Sequence, residues 1–125
     1  MSTEKSAVYD VIRDINRQVG DYASELLAEA AKRILLTDGA WGTQIQERKL
    51  VEADYAGSLG LAREQKGNND ILALTRPDVV EDIARAYFTA GSDIVSTNTF
   101  SSTRISQADY AAEHLVRELN LANAR

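Results

Sequence analysis

Apolar residues near the start of the chain recur at helical spacing. Val8, Val11, Ile12, Ile15, Val19, Tyr22, Leu26 and Ala30 fall every three or four positions, the period of one helix face. Gly20-Asp21 interrupts the run. Gly weakens a helix interior and Asp caps the next one, so the pattern predicts two helices, the second over about Tyr22 to Lys32. Arg33-Ile34-Leu35-Leu36-Thr37 is a short apolar run closed by Asp38-Gly39, and reads as a buried strand ending in a turn. Trp41 to Leu50 predicts a short helix. Val51 to Asn69, with scattered Gly and charge, reads as a long connection, and Lys66-Gly67-Asn68-Asn69-Asp70 is strong turn chemistry.

The clearest helix comes next. Thr75 is placed to cap, Pro77 sits in the first turn, and Asp78 lies where the helix dipole favours an anion. Val79, Val80, Ile83, Ala84, Tyr87 and Phe88 form one apolar face, and Gly91 is placed to end the helix. Ile94-Val95-Ser96-Thr97 predicts a second short strand, and Asn98 to Ile105 a polar loop. A last helix is expected from about Gln107 onward, with Ala108, Ala111, Leu115, Leu119 and Ala122 on its buried side. Strands alternating with helices predict parallel α/β architecture. Two strands are few for a parallel sheet, which is normally covered on both faces. A complete βα barrel takes about 250 residues, so the expectation is the first part of such a fold.

Composition narrows the function classes. The chain has 125 residues and a net charge of −5, which suits neither a phosphate backbone nor an anionic membrane surface. It has no cysteine and one histidine. Disulfides and thiolate metal sites are therefore excluded for this chain by itself. No apolar run approaches the roughly 20 residues of a membrane span, and the polar start does not resemble a signal core. A cytoplasmic protein is the default expectation.

In βα architectures the active site forms where strands end and loops begin. Two segments fall there: Asp38-Gly39-Ala40-Trp41-Gly42-Thr43 and Thr97-Asn98-Thr99-Phe100. On neighbouring parallel strands they would open on one rim. Such a rim suits a small zwitterion, with Asp38 for its ammonium and Thr97 and backbone N–H groups for its carboxylate. Asp-Gly after a strand is equally compatible with plain turn geometry, and Thr-Asn-Thr with a loop bonded to itself. Trp41 reads as core or interface, and His114 as a solvated or half-buried helix residue. Gly39 to Thr43 lacks the spacing of a phosphate loop, and no paired acid and base stands out.

Together these segments resemble the homocysteine S-methyltransferase family. Asp38 to Thr43 is similar to that family's Asp-Gly-Gly-Met-Gly-Thr turn. Lys66 to Asp70, followed by Arg76-Pro77, is similar to its Lys-Gly-Asn-Asn-Asp stretch and later Lys-Pro. Ala90 to Phe100 is similar to its Ala-Gly-Ala-Asp-Ile-Ile-Glu-Thr-Asn-Thr-Phe, and Ala108-Asp109-Tyr110 also fits. The order and spacing agree across residues 33 to 125, and the second and third segments point to the cobalamin-dependent methionine synthases within the family.

The resemblance implies a TIM barrel of which this chain is the N-terminal portion. Residues 1–20 would be a helical extension, and 21–125 the first part of a homocysteine-binding domain. It implies zinc held by three cysteines, which keeps the homocysteine sulfur a thiolate, and methylcobalamin on another module as methyl donor. Asp38, Gly39, Thr97 and Phe100 are the implied substrate-binding residues, with Asn98 and Thr99 as further pocket candidates. No catalytic or metal residue is expected here, because the zinc cysteines lie on later strands than this chain contains. Neither zinc nor cobalamin is therefore expected to bind the chain by itself, and it is expected to be inactive alone. A free thiol has a pKa of about 8.5 and is a poor nucleophile while protonated. The expected partners are homocysteine and the remainder of a methionine synthase polypeptide, without nucleic acid or membrane. The alternatives are a stand-alone amino-acid-binding module and a partner that completes a barrel with another chain. Ala40, Trp41 and Ser96 depart from the family pattern, which has Gly, Met or Phe, and Glu at those positions. Exposed strand edges and helix faces predict a marginal, association-prone fold.

Overall fold

The computed structural model describes residues 20–125. The helix expected over Val8 to Val19 and the extension at 1–20 lie outside the described residues, apart from Gly20. The chain divides into two compact units, Met1–Leu35 and Leu36–Arg125.

In the first unit, α1 (Gly20–Ala30) is built from Ala, Leu and Glu, all strong helix formers. Its end is tied by Glu29, whose carboxylate pairs with Lys32 at 3.5 Å and Arg33 at 3.3 Å. These pairs are exposed and so contribute little.

The second unit is a packing of short helices. They are α2 (Trp41–Glu47), α3 (Glu52–Ala56), α4 (Leu72–Thr75), α5 (Pro77–Ala90), α6 (Arg104–Ala108) and α7 (Val116–Ala124). Single 3₁₀ turns at Asn69–Ile71 and Glu113–Leu115 lead into α4 and α7. Ile45, Tyr55, Ile71, Leu72, Val79, Ile83, Ala112 and Leu119 form the core. The smallest helix, α4, is its hub and packs against α3, α5 and α7. Its Leu72 and the preceding Ile71 are fully buried.

The α/β expectation is overturned. Among the described residues there is no sheet, and so no portion of a TIM barrel. Thr37 and Ile94 form one parallel bridge, flanked by Asp93 N–H to Leu36 O at 2.8 Å and Asp38 N–H to Ile94 O at 3.0 Å. The physical reason is cover. Parallel strands persist when both faces are buried, yet Ile34, Leu36 and Ile94 are exposed. Each run therefore makes a single bridge rather than a ladder. A short apolar run carries no information on whether such cover exists.

Smaller differences have local causes. Thr75 does not cap α5. It closes α4, and its hydroxyl donates back to Ile71 O. Arg76 holds the junction instead, pairing with Asp78 at 2.9 Å and with Asp54 at 2.5 Å. The expected long connection contains α3, whose start is fixed by Asp54: its carboxylate accepts the Val51 N–H at 2.9 Å. The expected last helix is two. Ala111, at φ 52°, breaks it between α6 and α7, so that Ala112 is buried instead of Ala108. At the end of α5, Gly91 adopts φ 111° and closes the helix as the pattern predicted. No described helix is long and apolar enough to cross a membrane.

Candidate functional site

A cavity of about 690 Å³ opens where four segments of the second unit converge. Gly39, Trp41 and Gly42 come from the start of α2. Gly67 to Asp70 come from the turn before α4, Ser96 to Ser101 from the loop before α6, and Tyr110 from the break after it.

The two rim segments singled out in the sequence do meet. The Asp38 carboxylate joins them. Its Oδ2 accepts the Trp41 indole N–H at 2.7 Å and the Ser96 N–H at 2.8 Å, and its Oδ1 accepts the Ser96 hydroxyl at 3.1 Å. Burial pushes this carboxyl up, but the bonds from Trp41 and Ser96 outweigh it and hold the group below the ordinary carboxylate range. Trp41 and Ser96 are two of the three departures from the family pattern, and they are the two side chains that grip Asp38. The third, Ala40, has φ −65°, so its methyl adds no backbone strain. Its carbonyl accepts the Tyr87 hydroxyl at 2.6 Å, which fastens this rim to α5.

Gly39 lines the cavity, as do Thr97, Asn98, Thr99 and Phe100; Asp38 stands behind the rim rather than on the lining. A side chain at Gly39 would meet the Tyr87 hydroxyl at 3.3 Å. Thr97 and Thr99 share one hydroxyl–hydroxyl bond of 2.7 Å. Two hydroxyls that share one hydrogen leave the other free to donate. Asn98 is buried, and its amide donates to Asn69 O at 2.8 Å. Phe100 is 99% exposed, so it stands at the mouth of the cavity with its ring in solvent. His114 is exposed and takes no part.

Asn68, on the cavity lining, belongs to a buried amide network whose Lys66–Asp70 part stood out in the sequence as turn chemistry and as a family motif. Gln65, Asn68 and Gln107 are buried. Asn68 donates to Gln65 Oε1 at 3.1 Å and to Gln107 Oε1 at 2.8 Å, and Gln107 returns a bond to Asn68 Oδ1 at 3.0 Å. Gln65 donates to Tyr110 O at 2.7 Å, and Gln107 to Ser101 O at 3.0 Å. Glu52 accepts the backbone N–H groups of Gln65 and Lys66 at 2.7 and 2.6 Å. Asp70, also buried, accepts the Ser101 N–H at 2.7 Å and the Ser102 hydroxyl at 2.6 Å. The signal available in the sequence was the Lys-Gly-Asn-Asn-Asp segment itself, whose Asn and Asp residues are too polar to be buried unless hydrogen-bonded.

The thiolate donors that the resemblance implies for zinc are not among this chain's residues. The sequence has no cysteine, and the described residues contain no group of three His, Cys, Asp or Glu that could hold a metal ion.

Compared with known families, the chain matches the model of the Homocysteine S-methyltransferase family over residues 35–125.

Proposed function

The chain belongs to the homocysteine S-methyltransferase family, and on that premise we propose that its Leu36–Arg125 unit provides homocysteine recognition in a cobalamin-dependent methionine synthase. One observation carries this reading. The cavity is built wholly from residues inside the family match.

The cavity's chemistry supports it. A space of about 690 Å³ falls within the roughly 300–1,000 Å³ of small-ligand sites. Gly39 contributes backbone to the lining and leaves room for the Tyr87 hydroxyl that fastens this rim. The spare hydroxyl hydrogen of the Thr97–Thr99 pair suits a carboxylate, and Phe100 offers apolar area at the mouth. In this proposal Asp38 holds the two rims in register, and Asn98 and Asn69 fix the second rim beneath.

Zinc would supply thiolate character to homocysteine at neutral pH, since a free thiol has a pKa of about 8.5. The residues of this chain do not furnish that thiolate site. Methyl transfer therefore needs donors from another polypeptide segment, and cobalamin, far too large for a cavity of this size, belongs to another module in the same proposal. The stand-alone binding module is the second reading, favoured by a cavity that closes with this chain's own hydrogen bonds.

Isothermal titration with homocysteine tests the proposal. Saturable, stoichiometric binding by the 125-residue chain is expected, with no methyl transfer from methylcobalamin by that chain alone. Heat indistinguishable from dilution contradicts homocysteine recognition. Methyl transfer by the chain alone contradicts the need for donors from elsewhere.

A further inference from the structure

We propose that the cleft between the end of α2 and α3 is a second binding site, for a small organic acid that carries an apolar group. It is separate from the cavity between the two rims, lies wholly within the Leu36–Arg125 unit, and does not depend on the homocysteine reading.

The cleft has a volume of about 340 Å³, at the lower end of the range for small-ligand sites, so it suits one compact molecule. Ile45 and Tyr55, both buried members of the core, line it together with Leu50 and Val51. Val51 is a large apolar residue left 57% exposed.

The charged residues on this lining are Lys49 and Lys66, two of the four lysines in a chain of net charge −5. Both are exposed, and among the described residues no carboxylate pairs with either. The acids of α3 are committed elsewhere. Glu52 accepts the backbone N–H groups of Gln65 and Lys66. Asp54 accepts the Val51 N–H and pairs with Arg76. Glu47 and Glu64, the other acids near these lysines in sequence, lie outside the lining. Lys49 adopts φ 51° where α2 ends, with its N–H on Gln46 O at 3.0 Å. Gly or Asn holds such a turn at lower cost, so turn geometry does not account for a lysine there.

Two ammonium groups without counter-ions raise the local potential that attracts an anion. Each offers three rotatable donors to a carboxylate. Exposed ion pairs by themselves contribute little. Burial of an apolar group against Ile45, Leu50, Val51 and Tyr55 adds what the charges do not supply. A wholly polar anion would leave that lining in water, and a neutral apolar molecule would leave both lysines unused. The recognised class therefore combines one negative charge with a compact apolar body.

Proton–nitrogen NMR of the whole chain, titrated with phenylacetate and with phenylacetamide, tests the site. The amide keeps the ring and lacks the charge. Phenylacetate is expected to move the Val51, Tyr55 and Lys66 backbone signals to saturation, and to bind about tenfold more tightly than the amide, the effect of two exposed ion pairs. Lys49→Gln and Lys66→Gln are each expected to weaken phenylacetate about threefold and to leave phenylacetamide unchanged. The double variant should bring acid and amide level. Neither lysine side chain makes a hydrogen bond within the described residues, so these variants remove none. Lys32→Gln, in the other unit, should alter neither ligand and controls for net charge. Equal affinity for acid and amide in the unaltered chain overturns the proposal. So does phenylacetate binding that the double variant retains, or that Lys32→Gln weakens as much. Cleft signals that do not move, or shifts confined to Gly39, Asn98 and Ser101, overturn it as well.

Discussion

At the scale of single residues, Asp38 and Trp41 make the site observable. Trp41 is the only tryptophan in the chain, and its indole N–H ends on Asp38. The Asp38 carboxyl is held below its ordinary value by the bonds from Trp41 and Ser96, which outweigh the opposing effect of burial. A depressed carboxyl contributes stability above its unfolded value of about 3.9 and loses it as pH falls through the folded value. Trp41 fluorescence is therefore expected to be flat at neutral pH and to change as pH falls below about 4. Asp38→Asn should abolish that transition at Trp41, and an identical acid transition in the variant would show that the clamp is not its source. The residues forming this clamp were named from the sequence, but not their bonding. Trp41 was expected in a core or interface, because nothing in linear order says which partner an indole N–H finds.

At the scale of elements, the amide network decides whether the rim loop stays in place. Gln107, on α6, exchanges bonds with Asn68 and also holds Ser101 O. Gln107→Leu removes these partners and leaves buried amide groups unpaired, at about 1–3 kcal/mol for each unsatisfied group. Chemical denaturation should show a loss of that order. No loss would mean the network is not structural. Helix α5 was legible nearly to the residue, because Pro77 and Gly91 act through local backbone geometry. The two expected strands were not, because a strand's existence depends on partners elsewhere. Their signature of short apolar runs is real, yet Thr37 and Ile94 make one bridge with exposed neighbours. The break at Ala111 was hidden for another reason: a non-glycine residue at φ 52° gives no compositional sign.

At the scale of the whole molecule, the Leu36–Arg125 unit is organised around a helix of four residues. Leu72 on α4 is fully buried among α3, α5 and α7. Leu72→Ala is expected to cost about 2–5 kcal/mol, a large share of the roughly 5–15 kcal/mol of a typical domain. Thermal unfolding of the variant should shift downward strongly or lose cooperativity; an unchanged melt would contradict the hub. Leu36, Ile94, Phe88, Phe100 and Ile105 remain exposed, so the molar mass measured by light scattering should rise above that of one chain as concentration increases, and a constant monomer mass would contradict this. The family and the convergence of the two rims were legible because short polar motifs keep their order and spacing. The β-architecture was not, since it was inferred from alternation of elements rather than from any contact.

Homocysteine is proposed to bind in the cavity between the Asp38–Gly42 and Ser96–Ser101 segments. Proton–nitrogen NMR of the chain titrated with homocysteine tests it residue by residue. The Trp41 indole signal, the Asn98 side-chain amide and the Ser101 backbone amide are predicted to move together and to saturate at one equivalent. Saturating shifts that cluster elsewhere, with these signals stationary, would contradict the account.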